Sequence, residues 1–133
     1  MKLFSFLKCN VINILYQFVV YDKIDYPIIM CEGNDIEIID NESDIQRIGI
    51  ESIDIINCEY IFYDRNGFLI EAKVENNYIF YKYPSPMINK IAEMRSRLQY
   101  FISKFINSNM SDDLEILIQA VRCINNKKRI YKQ

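Results

Sequence analysis

The stretch that decides the fold is residues 58–83, which read CEYIFYDRNGFLIEAKVENNYIFYKY. It holds three runs rich in β-branched and aromatic residues, separated by Asn66-Gly67 and Asn76-Asn77. Both dipeptides tolerate the positive φ angles that two-residue hairpin turns require. The stretch therefore predicts a three-stranded antiparallel meander over about residues 58–83.

Two-residue turns at these dipeptides would also fix which side chains share a face of the meander, because side chains alternate along a strand. One predicted face is apolar, with these facing pairs: Tyr63 and Ile70, Ile61 and Ala72, Val74 and Ile79, Ala72 and Tyr81, Ile70 and Tyr83. The other face is aromatic but charged, and it is either half covered or a contact surface; it carries Tyr60, Phe62, Glu71, Lys73, Tyr78, Phe80 and Lys82. A shift of one residue in the pairing of two strands would move the side chains of one strand to the opposite face of the sheet.

The residues after the meander predict a pair of helices. Ser85 followed by Pro86 is a helix-start signal, and an apolar stripe then predicts a helix over about residues 86–107. Ser111 would cap a second helix over about residues 112–125, which Asn125-Asn126 would stop, and the basic tail beyond it would be frayed. Strands followed by helices indicate an α+β fold in which the helices cover the apolar face of the sheet.

The first half of the chain predicts shorter elements. Residues 1–21 fit a helix that runs into a strand near 18–21, and residues 25–27 form a turn signal. Two short strands at 28–31 and 36–39 flank a turn at 33–35. Asn41 or Ser43 would cap a short helix that Gly49 ends, and residues 50–56 would form a connector or another strand. With 133 residues, half of them apolar, we expect residues 1–133 to form one domain with a sizeable core.

Several kinds of chemistry have no support in this composition. The chain has no histidine, which removes Ser-His-Asp and Cys-His catalysis and the common zinc sites. The four cysteines are too widely spaced to form a CxxC metal pair, and the isolated glycines form no phosphate loop. Residues 40–44 offer carboxylates at alternate positions but lack the glycine and distal glutamate of an EF-hand loop, so a helix start explains them better. We therefore predict no catalytic residue, no metal site and no cofactor.

The N-terminus predicts neither export nor membrane insertion. Lys8 interrupts the first apolar run, no small-residue cleavage site follows, and residues 9–21 are too short to span a bilayer. Cysteines that stand among apolar residues are typical of buried thiols in a reducing compartment. These features predict a cytoplasmic protein that does not act at a membrane.

The net charge of −2 hides a strong segregation along the chain. Residues 22–59 carry eleven acids and two bases, a net charge of −9, whereas residues 87–133 carry four acids and nine bases, a net charge of +5. The alternation of acids with isoleucine at 35–40 indicates either a solvated strand face or a docking surface for a basic partner. Such a surface would repel nucleic acid, and Lys127-Lys128-Arg129 is more typical of a solvated helix end than of an RNA site.

The acidic central region and the strand–Asp-x-Asn-Gly–strand pattern within residues 53–70 give the chain its family resemblance. In overall style it resembles the immunity proteins of bacterial polymorphic toxin systems, including contact-dependent growth inhibition. The resemblance implies a non-enzymatic protein that binds its cognate toxin and blocks the active site. A basic nuclease domain would meet an acidic surface in its substrate groove. The expected partner-binding residues are Asp35, Glu37, Asp40, Glu42, Asp44, Glu51 and Asp54, with Tyr60 and Tyr78 as aromatic anchors.

Two other functions remain open at this stage. The first is a structural or host-interaction protein of a mobile element, which would self-associate through the aromatic sheet face or the helices. The second is a small enzyme that uses carboxylates and a metal, which would show a metal-dependent change in thermal stability. The sequence does not state the oligomeric state.

Overall fold

The computed structural model describes residues 19–20, 23–48, 60–75 and 78–131. These residues form a sheet of six strands, one short helix between two of the strands, and two helices after the last strand. The strands are β1 (Val19–Val20), β2 (Ile28–Glu32), β3 (Asp35–Ile39), β4 (Ile61–Tyr63), β5 (Leu69–Glu75) and β6 (Tyr78–Lys82). The helices are α1 (Glu42–Ile48), α2 (Ile91–Ser103) and α3 (Leu114–Tyr131). This order of strands and C-terminal helices is the predicted α+β fold.

The sheet has the order β1-β6-β5-β4-β2-β3. Strands β2 to β6 join their neighbours in antiparallel fashion, and β1 pairs with β6 in parallel. The meander β4-β5-β6 is confirmed, as are the strands predicted at 28–31 and 36–39 and the strand at 19–20. The helix predicted within residues 1–18, the helix end at Gly49 and the connector over 50–56 lie outside the described residues.

The second hairpin has the predicted register and the first does not. Val74 pairs with Ile79 and Ala72 with Tyr81, as expected. Across the first turn, however, Phe62 pairs with Ile70 and Tyr63 with Leu69, one residue away from the predicted pairs. The loop has three residues rather than two: Asp64 N–H donates to the carbonyl of Phe68, and Gly67 has a φ of 88°. Three-residue loops with a left-handed glycine are a common hairpin connection.

This slip of one residue exchanges the faces of β4. Phe62 packs with Ile70 and Tyr81 in one cluster, joined by Ile28, Ile39 and Ile45 of α1. Tyr63 and Ile61 lie on the opposite face, in the cluster that α2 and α3 cover. Four residues lie on one face as predicted: Ile70, Ala72, Tyr81 and Tyr83. The prediction is wrong for Ile61 and Tyr63, which lie on the opposite face. Tyr60 and Phe62, which were predicted on the charged face, lie on the same face as Ile70.

The helix pair packs on the sheet as predicted, over β2, β3 and β4, but on the face that carries Tyr63 and Ile61. The prediction that the helices cover the face of Ile70, Ala72 and Tyr81 is wrong, because these residues lie in the other cluster. The buried helical side chains in the cluster with Tyr63 are Met94, Leu98, Phe101, Ile102, Leu117, Ile118, Val121 and Ile124. They meet Ile29, Cys31, Ile36 and Tyr63 from the sheet. Burial of these side chains, at roughly 1.5–3 kcal/mol each, holds the helix pair on the sheet.

Both ends of α2 differ from the prediction. The helix begins at Ile91 rather than Pro86 because residues 88–90 bond to the first hairpin: Leu69 N–H donates to the carbonyl of Ile88 at 2.9 Å, and Lys90 N–H donates to the carbonyl of Gly67 at 2.7 Å. It ends at Ser103. Beyond that residue, Lys104 N–H donates to the carbonyl of Phe101 and Phe105 N–H to that of Ile102, each three residues back in the chain.

Helix α3 is capped by Asp113 instead of Ser111, since Asp113 Oδ1 accepts hydrogen bonds from the N–H groups of Glu115 at 2.9 Å and Ile116 at 3.3 Å. It also continues to Tyr131, so the predicted stop at Asn125-Asn126 and the frayed tail are wrong. Asn125 is 9 % exposed, and its side chain donates to the carbonyl of Ile36 at 3.0 Å. Its amide group therefore ties α3 to β3 instead of ending the helix.

Candidate functional site

Six carboxylates lie along one end of the sheet, where β3 is the last strand. We name this surface the acidic edge; it consists of Glu32, Asp35, Glu37, Asp40, Glu42 and Asp44. Four of them are exposed, whereas Glu37 and Asp44 are half-buried. These acids therefore follow one another along the β2–β3 turn, the edge strand β3 and the first turn of α1.

Local structure explains why these acids lie together. Gly33, at a φ of 58°, allows β2 and β3 to join through a two-residue turn, which brings Glu32 and Asp35 opposite each other. Asn41 then caps α1, because its Oδ1 accepts a hydrogen bond from Asp44 N–H at 3.1 Å. Asp44 Oδ2 in turn accepts one from Asp40 N–H at 3.3 Å. The predicted cap at Asn41 is confirmed, with Glu42 and Asp44 in the first turn, where acids favour the helix dipole.

The acidic edge is partly balanced from within the molecule. Arg122 of α3 donates a hydrogen bond to Asp40 and forms a salt bridge with it. Lys104 Nζ donates to the carbonyl of Asn34 at the tip of the β2–β3 turn, at 3.0 Å. The acidic and basic halves of the sequence are therefore neighbours in space. Asp35 and Glu42 are exposed, and neither side chain takes part in a hydrogen bond or salt bridge among the described residues.

The remaining predicted binding residues do not all join this surface. Glu51 and Asp54 lie outside the described residues. Tyr60 is half-buried just before β4, with its ring centroid 6.0 Å from that of Phe62. Tyr78 begins β6, four strand positions from β3, which is about 19 Å at the usual strand spacing. The acidic edge and Tyr78 therefore belong to opposite parts of the sheet.

Titratable side chains also meet between the sheet and α2. Tyr63 donates a hydrogen bond to Glu93 Oε1 at 2.9 Å, and Arg97 forms a salt bridge with the same oxygen at 3.4 Å. Burial, together with this hydrogen bond to Glu93, raises the pKa of Tyr63. Burial likewise raises the pKa of the neighbouring Cys31 to about 12. A thiol that stays protonated at neutral pH is a poor nucleophile, so Cys31 is better suited to packing than to nucleophilic attack.

We expect Cys31 to resist alkylation in the folded protein and to make folding sensitive to alkaline pH. At pH 8, a thiol with a pKa of about 12 is ionised only to about one part in 10⁴. The unfolded thiol ionises near pH 9, so the contribution of Cys31 to stability is complete below that pH and is lost as the pH rises toward 12. At pH 10 the loss is about 1.4 kcal/mol.

Iodoacetamide labelling followed by peptide mapping tests the first statement, with the exposed Cys123 as the internal control. Equal labelling rates for Cys31 and Cys123 would contradict it. Urea unfolding at pH 8 and pH 10 tests the second, because Cys31→Ala should reduce the loss of stability between the two pH values. An unchanged loss in the variant would show that Cys31 does not carry the effect.

A buried carboxylate that sequence reasoning did not single out holds the first hairpin together. Asp64 is 1 % exposed. Its Oδ1 accepts hydrogen bonds from the N–H groups of Asn66 at 2.8 Å and Phe68 at 3.0 Å, and its Oδ2 accepts one from the Tyr83 hydroxyl at 2.7 Å. The Asp-x-Asn-Gly pattern was the available signal, since aspartate at the start of a turn often bonds to the backbone ahead of it. With these donors in place, Asp64 is a structural group.

Across the described ranges, no three side chains of histidine, cysteine, aspartate or glutamate cluster in a way that could hold a metal ion. Among the helices that the structure describes, none is long and apolar enough to cross a membrane.

Comparison with known proteins returned no match to a family model, to a curated protein or to a solved structure. The resemblance to immunity proteins therefore stays a prediction from the residues.

Proposed function

We propose that this chain is an immunity protein that neutralises a toxin by binding it, and that the acidic edge is its contact with a basic toxin domain. The observation that carries the proposal is the gathering of six carboxylates on one end of the sheet. Opposite potentials speed the encounter of two proteins and select the right partner. A nuclease is the toxin class that fits best, because its substrate groove is basic. Such an inhibitor would act in the cytoplasm of the cell that makes it.

The exposed members Asp35 and Glu42 are the best positions for a test. Neither side chain forms a hydrogen bond or salt bridge with another described residue, so we expect their replacement to keep the fold, at the cost of the favourable position of Glu42 in the first turn of α1. Asp40 is less suitable, because its change would also release Arg122. Glu115 offers a matched control: its side chain is 70 % exposed, and its salt bridge with Arg65 is of the surface kind that contributes little.

The experiment captures partners of the tagged chain from cells that carry its gene, at low and high salt, and identifies them by mass spectrometry. We expect one stoichiometric basic nuclease domain, which the wild-type chain inhibits in an RNA or DNA cleavage assay. Asp35→Lys with Glu42→Lys should weaken capture and inhibition by at least about tenfold, whereas Glu115→Lys should not.

Equally strong capture of that domain by the Asp35→Lys, Glu42→Lys variant and by the Glu115→Lys control would contradict a role for the acidic edge. Charged side chains on an edge strand also prevent two sheets from pairing edge to edge. In that case, the acids of the acidic edge would serve only to protect β3 from such pairing. Recovery of further copies of this chain instead of a toxin would contradict the proposed function and favour a structural protein.

A further inference from the structure

A second surface, separate from the acidic edge, lies at the C-terminal end of the helix pair. An open groove of about 580 Å³ runs between the residues that follow α2 and the second half of α3. Its apolar lining includes Phe105 and Ile106, which are 47 % and 42 % exposed, and also Cys123 and Ile124. Exposed apolar side chains that adjoin one another mark sites of interaction more often than isolated ones do.

Lysines border this groove in fixed positions. Lys127 and Lys128 line it, and Lys128 Nζ lies 4.5 Å from the ring centroid of Phe105 and 5.1 Å from that of Phe101. Lys104 Nζ approaches the same Phe101 ring to 5.2 Å. Cation–π contacts of this kind hold an ammonium group beside an apolar surface while its N–H donors stay available.

Lys104 Nζ donates to the backbone carbonyl of Asn34, but no described acid forms a salt bridge with any of these three lysines. Two of the three ammonium groups lie beside one ring, where like charges repel each other. A carboxylate placed at this border would relieve the repulsion, so the groove is complementary to a ligand that is both apolar and acidic.

We propose that the groove binds an acidic amphipathic helix of a partner protein. The apolar side chains of the helix would lie against Phe105, Ile106 and Ile124, and its carboxylates would meet Lys127 and Lys128. The exposure of Phe105 and Ile106 favours a helix over a small molecule, because small-molecule sites enclose most of the ligand surface. Amphipathic helices bind such grooves through apolar side chains one turn apart.

Cys123 provides a direct measurement, since it is exposed and lines the groove. The probe is a synthetic helical peptide with leucine at positions i, i+3, i+4 and i+7 and glutamate elsewhere. The rate of Cys123 alkylation by iodoacetamide, followed by peptide mapping on the full chain, reports occupancy. At a peptide concentration of ten times Kd, we expect the rate to fall about tenfold. The matched peptide with lysine in place of glutamate should give no protection.

Charge reversal supplies the second arm of the test. Lys127→Glu with Lys128→Glu should weaken protection by the glutamate peptide at least about tenfold, whereas reversal of the exposed Lys90 at the opposite end of α2 should not. High salt should weaken protection in the wild-type chain, a measurement that needs no variant to fold. Each variant is checked by its melting temperature.

Several results would overturn the proposal. Equal protection by the glutamate and lysine peptides would show that charge has no part in binding. Protection by laurate but not by the peptide would identify a fatty-acid site. Protection that grows with protein concentration alone would identify a second copy of this chain as the occupant. Absence of protection by any probe would show that the groove binds none of them. None of these outcomes depends on the toxin partner proposed for the acidic edge.

Discussion

Replacing Gly67 with alanine is expected to lower the free energy of unfolding by at least about 3 kcal/mol. Gly67 has a φ of 88°, which a residue with a Cβ adopts only with strain. The added Cβ would also lie 2.5 Å from Ile91 Cα and 2.6 Å from Ile91 Cβ. Ile91 cannot move away easily, because the neighbouring Lys90 N–H is bonded to the carbonyl of Gly67 itself at 2.7 Å. The first hairpin and the start of α2 would have to separate.

Gly33→Ala is the matched control for this prediction. Gly33 also has a positive φ, of 58°, but no atom lies within 4 Å of the position its Cβ would take. Only the conformational penalty applies there, about 1 kcal/mol. Urea unfolding followed by circular dichroism measures both variants, and the melting temperature of Gly67→Ala should fall by roughly 10 °C or more. Similar small losses in the two variants would contradict the close contact between the hairpin and α2.

Replacing Asp64 with alanine is expected to destabilise the protein by at least about 3 kcal/mol. The change would leave three part-buried donors without their acceptor: the N–H groups of Asn66 and Phe68 and the hydroxyl of Tyr83. Each unsatisfied buried donor costs about 1–3 kcal/mol. Burial and the neighbouring Asp64 carboxylate also raise the pKa of Tyr83, so the hydroxyl stays protonated and able to donate over the neutral range.

A double-mutant cycle separates this network from a general loss of packing. Tyr83→Phe removes the hydroxyl that donates to Asp64 and also accepts a hydrogen bond from Asp25 N–H at 3.1 Å. The effects of Asp64→Ala and Tyr83→Phe should fall short of additivity by about 1 kcal/mol or more. The exposed Asp35→Ala should change stability by no more than about 0.5 kcal/mol. Additive effects of the two network variants would show that the bond between Asp64 and Tyr83 contributes little.

The elements that follow from local chemistry were predictable, and the register of the first hairpin was not. Asn66-Gly67 marks a turn in any context, and the apolar positions of α2 and α3 follow from helical periodicity. The choice between a two-residue and a three-residue loop depended on Asp64, whose carboxylate accepts from Asn66 and Phe68. Because side chains alternate, that one choice decided which face of the sheet Tyr63 and Phe62 occupy.

Tertiary contacts overrode the local signals at the helix ends. Ser85-Pro86 is a plausible helix start in isolation, but the backbone of Ile88 and Lys90 is bonded to the first hairpin, so α2 begins only at Ile91. Asn125 is a plausible helix end, but its amide donates to the carbonyl of Ile36. Neither partner is close in sequence, so no local pattern reveals these bonds.

The two candidate surfaces differ in how far the sequence reveals them. Alternating acids and isoleucines indicate the acidic edge from the sequence alone, because β3 and α1 follow each other in the chain. The salt bridge between Arg122 and Asp40 joins residues that are far apart in the chain, so it follows only from the packing of α3 beside β3. The groove beside Phe105 and Lys128 joins residues that follow α2 with residues of α3, and its lysines have the pattern of an ordinary basic tail in the sequence.

The most direct test of the central claim is the association rate between this chain and the basic domain it captures, measured at low and high ionic strength. The acidic-edge account predicts that the rate for the wild-type chain falls at least about tenfold with added salt. It also predicts that, at low ionic strength, the Asp35→Lys, Glu42→Lys variant associates more slowly than the wild-type chain, whereas Glu115→Lys does not. A rate that ignores both salt and these charge reversals would contradict the account, and the acidic edge would then be a solvated surface.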